Sequence, residues 1–413
     1  MKQNYFLDRN VLWLLPENNQ CLSFHCDFLK NKIKNFYRLN FVEYSHQNGT
    51  IGTETYIANL IDDKQIDILI ASSFATDYQL SVEFYASLKN KAKVVFWMWD
   101  DENYFDVYSR YYCQTADAVI TTDYFSIFAY QKLGIPAILY QSSHSRNNYF
   151  PVEIEKDIDV CFLGNCRKND RMDYINFLIK NGTNVETFGL GSKNGFVNWD
   201  EFSKIFSRSK INLNFTKIDK LSWINKDNPL LNRVRQNKGR PIESALTKSF
   251  CLSEYAPALN TIFEIGKEID IFYGKADLVE KVRYYLSHDE KREEIANNAY
   301  KRAIDNYESE VYISKILNEL EEILQKNDKQ RTEKIEIYLS MAFKIKSING
   351  LIFSMFIMLK NRKIVYALET FIKLFRYGIF VFLIGFYGGL ARVLKSMLNE
   401  TSKTFTRREG ILF

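Results

Sequence analysis

Three features of this 413-residue sequence predict an α/β fold built on parallel β-sheets. Short apolar runs recur along the chain, segments with helical periodicity separate them, and several runs are apolar throughout. Continuous apolar runs are typical of parallel strands, because helices cover both faces of such sheets. The chain length allows two or three domains, and the apolar content of 46% is ordinary for a globular protein.

The first 150 residues supply one set of alternating elements. Strands are predicted at 11–15, 39–42, 66–72, 93–99, 118–121 and 137–140, and helices at 20–37, 53–61, 78–88 and 124–132. Parallel sheets bind their ligands outside the carboxyl ends of the strands. The residues that follow each strand are therefore the candidates for a site.

Carboxylates follow the fourth predicted strand directly, at Asp100 and Asp101. One of them, facing the site, can act as a general base or accept hydrogen bonds from acceptor hydroxyls. The alternative is that they cap the helix that starts near Tyr104, since Asp is a favoured cap residue. Thr122 and Asp123 occupy the same place after the fifth strand, where helix capping is the stronger interpretation.

The second half repeats the alternation after residues 147–151, which are predicted to link two domains. Strands are predicted at 160–164, 185–188, 211–216 and 250–252, and helices at 171–180, 199–207 and from 239 onward. The predicted organisation is an N-terminal domain at 1–150, a second domain at 151–325 and a helical tail at 326–413.

Two glycine-containing segments are candidates for close contact with a ligand. Gly164 ends a predicted strand, and glycine permits a ligand to approach the backbone. An ordinary strand-ending turn explains the same residue equally well. Gly49–Gly52 is interpreted as a loop that can lie near a phosphate, although it lacks a GxGxxG pattern.

The segment 239–254 reads as a helix start, a turn and a buried strand. Pro241 suits the first helical position, and Glu243 follows in the first turn. Four cations precede or begin this helix, namely Arg233, Arg235, Lys238 and Arg240. Together with the free N–H groups of a helix start, they suggest a diphosphate site, with Glu243 accepting a hydrogen bond from a ribose hydroxyl. The alternative is a solvated basic loop and an ordinary helix-start carboxylate.

The runs Gly239–Leu246, Phe250–Pro257 and Ile262–Glu268 resemble the donor-binding half of GT-B glycosyltransferases. The most similar type is the group-1-like, spore-maturation-protein (CgeB-like) type. Its members begin this helix with Arg-x-x-Glu-Ala and continue with a small-residue turn, a short strand and a further helix. The resemblance covers residues 157–307 well and the N-terminal part in outline.

This resemblance implies two Rossmann-like domains that face each other across a cleft, with a nucleotide sugar bound between them. The implied reaction transfers a sugar from a nucleotide diphosphate sugar to an acceptor hydroxyl. Arg240, with Lys238 or Lys217, would neutralise the leaving diphosphate, and Glu243 would bind the ribose. Gly239, Asn214 and Gly164 would lie near the donor. Asp100 or Asp101 would be the base of an inverting enzyme, whereas in a retaining enzyme the leaving phosphate can accept the proton.

The sequence departs from the family pattern at two places. Many retaining GT-B enzymes carry a second Glu eight residues before the helix Glu, but this chain has Arg235 there. The role of that Glu at the donor sugar is therefore not transferred to this chain. Thr247–Ser249 replaces a turn that usually contains a small residue and Gly.

No metal or cofactor site is expected beyond the donor itself. The six Cys form no CxxC pair, only four His are present, and no DxD motif stands in a convincing loop. GT-B enzymes usually need no catalytic metal. The long loop at 217–239 is basic and is predicted to close over the diphosphate as a lid, taking the place of a metal.

The basic character of the chain is concentrated in its tail. Residues 326–413 contain 16 Lys/Arg and 6 Asp/Glu, a net charge of +10, so the remainder carries −5 of the total of +5. Residues 348–359 and 377–391 are strongly apolar, but the second run is fifteen residues long, shorter than the about 20 that a membrane span needs. The tail is predicted to lie in an anionic membrane interface. The alternatives are a tilted or re-entrant span, or helices that pack on the N-terminal domain.

The predicted location is the cytoplasm, with peripheral attachment to the inner face of the cell membrane as an option. The residues 1–10 lack the apolar core of a signal peptide, and the cysteine pattern fits a reducing compartment. A basic tail on an acidic body argues against nucleic-acid binding. The predicted function is glycosyl transfer to a carbohydrate or lipid-linked acceptor in surface polysaccharide or glycoconjugate synthesis. The alternatives are a GT-B-fold sugar epimerase and a non-catalytic module that binds a partner or membrane.

Overall fold

The computed structural model contains two units, each built on one parallel β-sheet. The structure describes residues 6, 8–15, 28–73, 79–168, 170–218, 234–326 and 337–400. Unit 1 comprises Met1–Thr121, Ser126–Ile138 and Glu319–Phe413, and unit 2 comprises Thr122–Phe125 and Leu139–Asn318. The predicted α/β fold with two Rossmann-like sheets and a helical C-terminal region is confirmed.

The sheet of unit 1 has six strands in the order β2-β1-β3-β4-β5-β6. Its strands are β1 (Asn10–Leu15), β2 (Asn35–Asn40), β3 (Ile68–Ser73), β4 (Lys93–Met98), β5 (Ala118–Thr121) and β6 (Ala137–Leu139). The paired strands from β2 to β5 are parallel. Every residue of β4 is buried, which explains why its sequence is apolar almost throughout.

The sheet of unit 2 has five strands in the order β11-β10-β9-β7-β8, all parallel. Its strands are β7 (Ile158–Leu163), β8 (Val185–Phe188), β9 (Ser209–Asn214), β10 (Cys251–Glu254) and β11 (Asp270–Phe272). Strand β11 was not predicted. Helices cover the sheet through an apolar core that includes Leu178, Leu252, Phe272 and Val282.

Helices alternate with the strands along most of the chain, as the crossover connections of a parallel sheet require. They are α1 (Phe41–Asp63), α2 (Val82–Ser87), α3 (Asp101–Tyr104), α4 (Arg110–Tyr112), α5 (Tyr124–Lys132), α6 (Arg171–Lys180), α7 (Phe202–Arg208), α8 (Arg240–Leu246), α9 (Leu259–Ile262), α10 (Lys275–Ser287), α11 (Asp289–Asn306), α12 (Ser309–Lys326), α13 (Met341–Lys360), α14 (Ile364–Lys373) and α15 (Ile379–Glu400). Short π- and 3-10-helical turns lie at Phe105–Ser109, Cys113–Thr115 and Trp199–Glu201.

The predicted bounds of the second strand and of the helix before it are wrong. Residues 35–40 form β2, where a helix was predicted to reach residue 37 and a strand to begin at 39. Residues 16–27, which contain the predicted start of that helix, lie outside the described residues. Strand β2 is the edge strand and is only partly buried, so its sequence alternates instead of forming an apolar run. The Asn40 side chain accepts a hydrogen bond from the Glu43 backbone N–H at 3.1 Å and caps α1.

The segment Gly49–Gly52, predicted as a loop near a phosphate, lies inside α1. Gly49 has φ +71° and breaks the helix. A Cβ atom on Gly52 would lie 3.0 Å from the Tyr366 ring, and a Cβ on Gly49 would lie 3.0 Å from Met358. These glycines therefore admit the tail helices to close contact with α1.

The tail helices pack within unit 1, as the alternative interpretation of the tail expected. Ser354 Oγ accepts a hydrogen bond from the Thr50 backbone N–H at 3.3 Å, and Tyr111 donates to Ser340 Oγ at 2.7 Å. The chain returns to unit 1 at Glu319, within α12. In this part of α12 the Leu324 carbonyl oxygen accepts a hydrogen bond from Lys93 Nζ at 2.8 Å. The structure thus divides the chain at Asn318, whereas the predicted boundary lies at 325.

A larger side chain at Gly52 is expected to displace the tail helices. Gly52→Leu places four carbon atoms where the Tyr366 ring lies, and overpacking of this kind costs about 2 kcal/mol. We expect a lower midpoint of urea unfolding and faster proteolysis after residue 340. Thr55→Leu, at an exposed position of the same helix, is the control and should change neither quantity. Unchanged proteolysis of Gly52→Leu would contradict the close packing.

Candidate functional site

The strand order of unit 2 brings the carboxyl ends of β7, β9 and β10 side by side. Gly164 follows β7, Thr216 and Lys217 lie just beyond β9, and Tyr255 follows β10. This edge of the sheet, here called the basic edge, is where parallel α/β sheets bind ligands. Three of the predicted site residues, Lys217, Arg235 and Lys238, come together here.

The loop after β7 is built around glycine contacts. The Gly164 N–H donates to the Phe188 carbonyl oxygen at 2.8 Å. Gly189 has φ +108°, and a Cβ atom there would lie 2.4 Å from the Gly164 carbonyl oxygen, so only glycine fits. Buried Arg171 donates to the Asn165 carbonyl oxygen at 2.9 Å. The loop after Gly164 is therefore fixed in place at the basic edge.

This loop also carries cations that the sequence analysis did not single out. Arg167 is exposed, and its side chain passes so close to Gly191 that a Cβ atom there would lie 2.6 Å from Arg167 Cγ. Lys168 follows it in a half-buried position. The signal for them in the sequence is their position shortly after a strand-ending glycine, Gly164.

Glu254 organises the basic edge from the end of β10. Its side chain is buried and accepts hydrogen bonds from the Thr216 backbone N–H at 2.8 Å and from Arg235 Nε at 2.8 Å. Lys217 and Arg235 also form an antiparallel backbone bridge. A buried carboxylate thus holds the segment after β9 and the segment before α8 together.

Lys217 pairs with a second carboxylate. Its Nζ lies 2.8 Å from Asp170 Oδ2. Burial raises the pKa of Asp170, but the hydrogen bond and charge of Lys217 outweigh burial, so that its net pKa is lowered. Lys238 Nζ donates to the Lys217 carbonyl oxygen at 3.4 Å. The predicted lid falls largely on residues 219–233, which lie outside the described residues, as does Arg233.

Asn214, predicted near the donor, is the last residue of β9, at the carboxyl end of that strand. Its side chain is buried and donates through Nδ2 to Ser253 Oγ of the neighbouring strand at 2.8 Å. In this position Asn214 joins β9 to β10.

Arg240 and Glu243 lie at the start of α8, as predicted, but they form an ion pair of 2.5 Å with each other. The Arg240 guanidinium lies 4.9 Å from the centre of the Phe206 ring, in a cation–π contact. Pro241 occupies the first turn, as expected. Glu243 is buried, and its carboxylate lies against other groups of the protein.

His144 completes this cluster and was not anticipated. Its Nε2 lies 3.6 Å from Glu243 Oε1 and 3.1 Å from Ser142 Oγ. A Cβ atom on Gly239 would lie 2.5 Å from His144 Nε2, so glycine is required for this approach. His144 is 99 positions from Glu243 in the sequence, and no local pattern connects the two residues.

The buried position of His144 makes unit 2 sensitive to acid. Burial lowers the pKa of His144, against the attraction of Glu243 and together with the repulsion of Arg240. The unfolded chain therefore binds a proton at a pH where the folded chain does not, so stability is lost as the pH falls below 6.5. We expect a smaller fall in melting temperature from pH 7.5 to pH 5.5 for His144→Gln. The control His288→Gln, at an exposed position, should behave like the native chain, and an unchanged slope for His144→Gln would contradict this role.

In unit 1, Asp101 is engaged inside the protein. It is buried and accepts hydrogen bonds from Ser109 Oγ at 2.5 Å, Thr121 Oγ1 at 2.6 Å and Tyr130 OH at 2.7 Å. Burial and the Asp101 charge raise the pKa of Tyr130, which therefore stays protonated and can donate. Burial and the same charge raise the pKa of Cys113 to about 12. This environment gives Asp101 a structural role.

Asp100 occupies a different position at the carboxyl end of β4. It is half-buried and has φ +55°, a left-handed conformation that non-glycine residues adopt at an energetic cost. Its side chain makes no helix-cap hydrogen bond to α3. Asp123, by contrast, accepts a hydrogen bond from the Phe125 backbone N–H at 3.3 Å, in agreement with the helix-cap interpretation.

Among the residues that the structure describes, no three His, Cys, Asp or Glu side chains come together in a way that could hold a metal ion. The expectation that the reaction needs no metal stays a prediction.

Comparison with known proteins finds one matching family model and several solved structures with a similar fold. Residues 171–318 match the family model described as "Glycosyl transferase-like", a segment that runs from α6 into α12 and contains Lys217, Arg235 and Lys238. Anabaena Alr3699/HepE in complex with UDP and glucose is similar to this chain with a TM-score of 0.55 and 13% identity, over 77% of this chain and 100% of that chain. The chain has the GT-B glycosyltransferase fold.

Two further structures show the same GT-B fold. The HepE structure with UDP-glucose has a TM-score of 0.54 and 12% identity, over 76% of this chain and 99% of that chain. A glycosyltransferase from Rickettsia africae has a TM-score of 0.52 and 12% identity, over 77% of this chain and 99% of that chain. By sequence, the chain matches none of the curated proteins. The predicted GT-B type is thus confirmed, whereas the spore-maturation-protein subtype stays a prediction.

Proposed function

We propose that this GT-B chain is a glycosyltransferase that moves a sugar from a nucleoside diphosphate sugar to an acceptor hydroxyl. The observation that carries the proposal is the basic edge of unit 2. Lys217, Arg235 and Lys238 converge there, inside the segment that matches the glycosyl transferase-like family.

The basic edge supplies what this reaction needs most. When the bond between the sugar C1 and the phosphate oxygen breaks, negative charge develops on the leaving nucleoside diphosphate. Fixed cations stabilise that charge without reorganisation. Asp170 and Glu254 orient Lys217 and Arg235, while Lys238, Arg167 and Lys168 add further positive charge.

The cluster around Glu243 is the second part of the proposed donor site. Glu243 is proposed to accept a hydrogen bond from a ribose hydroxyl, with Gly239 and Arg240 beside it. Because Glu243 already faces Arg240 and His144, the hydroxyl would join an existing ion pair. Such a carboxylate is oriented before the ligand arrives, which lowers the cost of binding.

Asp100 is the proposed base if the enzyme inverts the configuration at C1. The acceptor oxygen would then bond to C1 while its proton moves to the Asp100 carboxylate. Its position after β4 and its left-handed backbone support this choice over Asp101, whose oxygens accept from three hydroxyls.

The donor and acceptor classes complete the proposal. HepE structures contain UDP and UDP-glucose, so UDP-sugars are the first donors to test. The acceptor is proposed to be a carbohydrate or lipid-linked hydroxyl in surface polysaccharide or glycoconjugate synthesis. A cytoplasmic enzyme attached to the inner face of the cell membrane would have access to such acceptors.

The test is a turnover assay with the full chain and radiolabelled UDP-sugars, with and without a lipid extract as acceptor. We expect UDP release together with transfer of label to an acceptor. Conversion of the donor into an epimeric sugar nucleotide would indicate the epimerase alternative. Nucleotide binding without turnover on any donor would indicate a non-catalytic module and overturn the proposal.

A further inference from the structure

Helices α14 and α15 of unit 1 expose a large apolar surface. Fourteen large apolar side chains between residues 364 and 394 are between 38% and 80% exposed. This surface is called the apolar tail face, and its most exposed members include Val365, Leu368 and Ile372 on α14 and Phe380, Leu383 and Tyr387 on α15. Soluble proteins rarely expose an apolar patch of this size unless it binds something.

The apolar tail face follows helical periodicity. Val365, Leu368 and Ile372 stand at spacings of three and four residues, so they share one side of α14. The residues on α15 repeat the same spacing. Each helix therefore presents an apolar stripe, while buried residues such as Ala367 and Val381 occupy its other side.

Within the described residues of unit 1, the apolar tail face stays exposed, because the tail is held by its other sides. Lys373 Nζ lies 3.3 Å from Glu54 Oε2, and Arg376 Nη1 lies 3.3 Å from Glu83 Oε2. Tyr377 OH donates to Glu83 at 2.9 Å. Packing on unit 1 therefore accounts for the buried side of the tail and leaves the apolar side exposed.

Charge indicates what covers the apolar tail face. Residues 337–400 contain nine Lys/Arg and two Asp/Glu. Arg362 and Lys363 are exposed in the turn before α14, directly beside the start of the apolar stripe. An apolar stripe bordered by cations is complementary to the surface of a bilayer that contains anionic lipids.

The dimensions favour a helix that lies on the membrane over one that crosses it. Among the described helices, α13 is the one long and apolar enough to span a membrane by length and composition. It packs against α1 and α15 instead, and it contains Lys344 and Lys346. Helix α14 has ten residues, about 15 Å at 1.5 Å per residue, which is half of the about 30 Å hydrocarbon core.

We propose that the apolar tail face docks unit 1 onto an anionic phospholipid surface, with α14 and α15 lying in the interface. This inference rests on the proposed function, because it assigns the acceptor of the proposed sugar transfer to the lipid-anchored class. It also predicts that the acceptor hydroxyl is presented at the membrane surface.

The test is flotation of the full chain with vesicles of phosphatidylglycerol and phosphatidylethanolamine, or of phosphatidylcholine alone. The native chain should float with the anionic vesicles, and Leu368→Glu/Ile372→Glu should reduce the bound fraction about tenfold. Both positions are exposed, so folding should be retained. Phe128→Glu, at an exposed aromatic of α5, is the control and should float like the native chain.

A second pair of variants separates charge from apolar burial. Arg362→Ser/Lys363→Ser should weaken binding to anionic vesicles about tenfold and leave the weak binding to neutral vesicles unchanged. Lys64→Ser/Lys132→Ser removes the same charge from exposed positions elsewhere in unit 1 and serves as the control. Equal flotation of the native chain and both of these double variants with anionic vesicles would overturn the role of the cations.

Two outcomes would overturn the inference itself. One is flotation of Leu368→Glu/Ile372→Glu equal to that of the native chain. The other is a native dimer, measured by light scattering, that this variant converts to a monomer without any change in flotation. UDP binding measured on the same samples separates the two proposals, because the donor residues lie in unit 2. For Leu368→Glu/Ile372→Glu, the expected result is lost flotation with intact UDP binding. Absent UDP binding in the native chain would count against the proposed function alone.

Discussion

The full chain carrying Lys238→Ala is expected to bind UDP about 30-fold more weakly than the native chain, a loss of about 2 kcal/mol. Lys238 donates to the Lys217 carbonyl oxygen at the basic edge, where its positive charge would stabilise a bound diphosphate. Far-UV circular dichroism of the variant checks that the fold persists, and isothermal titration with UDP measures the loss of binding directly.

Lys180→Ala is the matched control for this variant. Lys180 is exposed at the end of α6, which leads into the start of β8 and so lies at the opposite edge of the sheet. It removes the same charge, so equal losses for both variants would indicate a general charge effect and contradict a site at the basic edge. Arg235→Ala is less informative, because it leaves buried Glu254 without its cation and costs about 3 kcal/mol of stability.

The second large effect is expected from Asp101→Ala, which should lower the free energy of unfolding by about 3 kcal/mol. The change removes the shared acceptor of the Ser109, Thr121 and Tyr130 hydroxyls in a buried position. Urea unfolding measures the loss. Turnover per folded molecule should stay near that of the native chain, because the Asp101 carboxylate is buried and already accepts from three hydroxyls.

Asp100→Asn should show the opposite behaviour. Asn has nearly the same size as Asp and tolerates the left-handed backbone at φ +55°, so the urea midpoint should change little. If Asp100 is the base, turnover falls about a hundredfold or more. A stable Asp101→Ala protein with abolished turnover would contradict the assignment of roles between these two neighbours.

The regular elements were predictable where local chemistry and packing agree. Helix α6 at 171–180 and strand β8 at 185–188 have the predicted bounds, because an amphipathic run and a short apolar alternation each stand between clear turns. Strand β2 was misplaced because it is an edge strand, which needs no continuous apolar run. The kink at Gly49 was missed because the reason for it, Met358, lies more than 300 residues away.

The candidate site was predictable in composition and less so in geometry. Arg235 and Lys238 were identified from their spacing before α8, and Lys217 only from the resemblance to GT-B enzymes. Their carboxylate partners could not be identified, since Asp170 and Glu254 reach them only when neighbouring strands align. The role of Asp101 depends on hydroxyls that are 8, 20 and 29 positions away.

The most direct test of the proposed donor site is a crystal structure of the full chain with UDP bound. We predict that the diphosphate lies at the carboxyl ends of β7, β9 and β10, with a phosphate oxygen within hydrogen-bond distance of Lys238 or Lys217 Nζ. A diphosphate bound away from that edge, or crystals grown at saturating UDP that contain none, would contradict the proposed site.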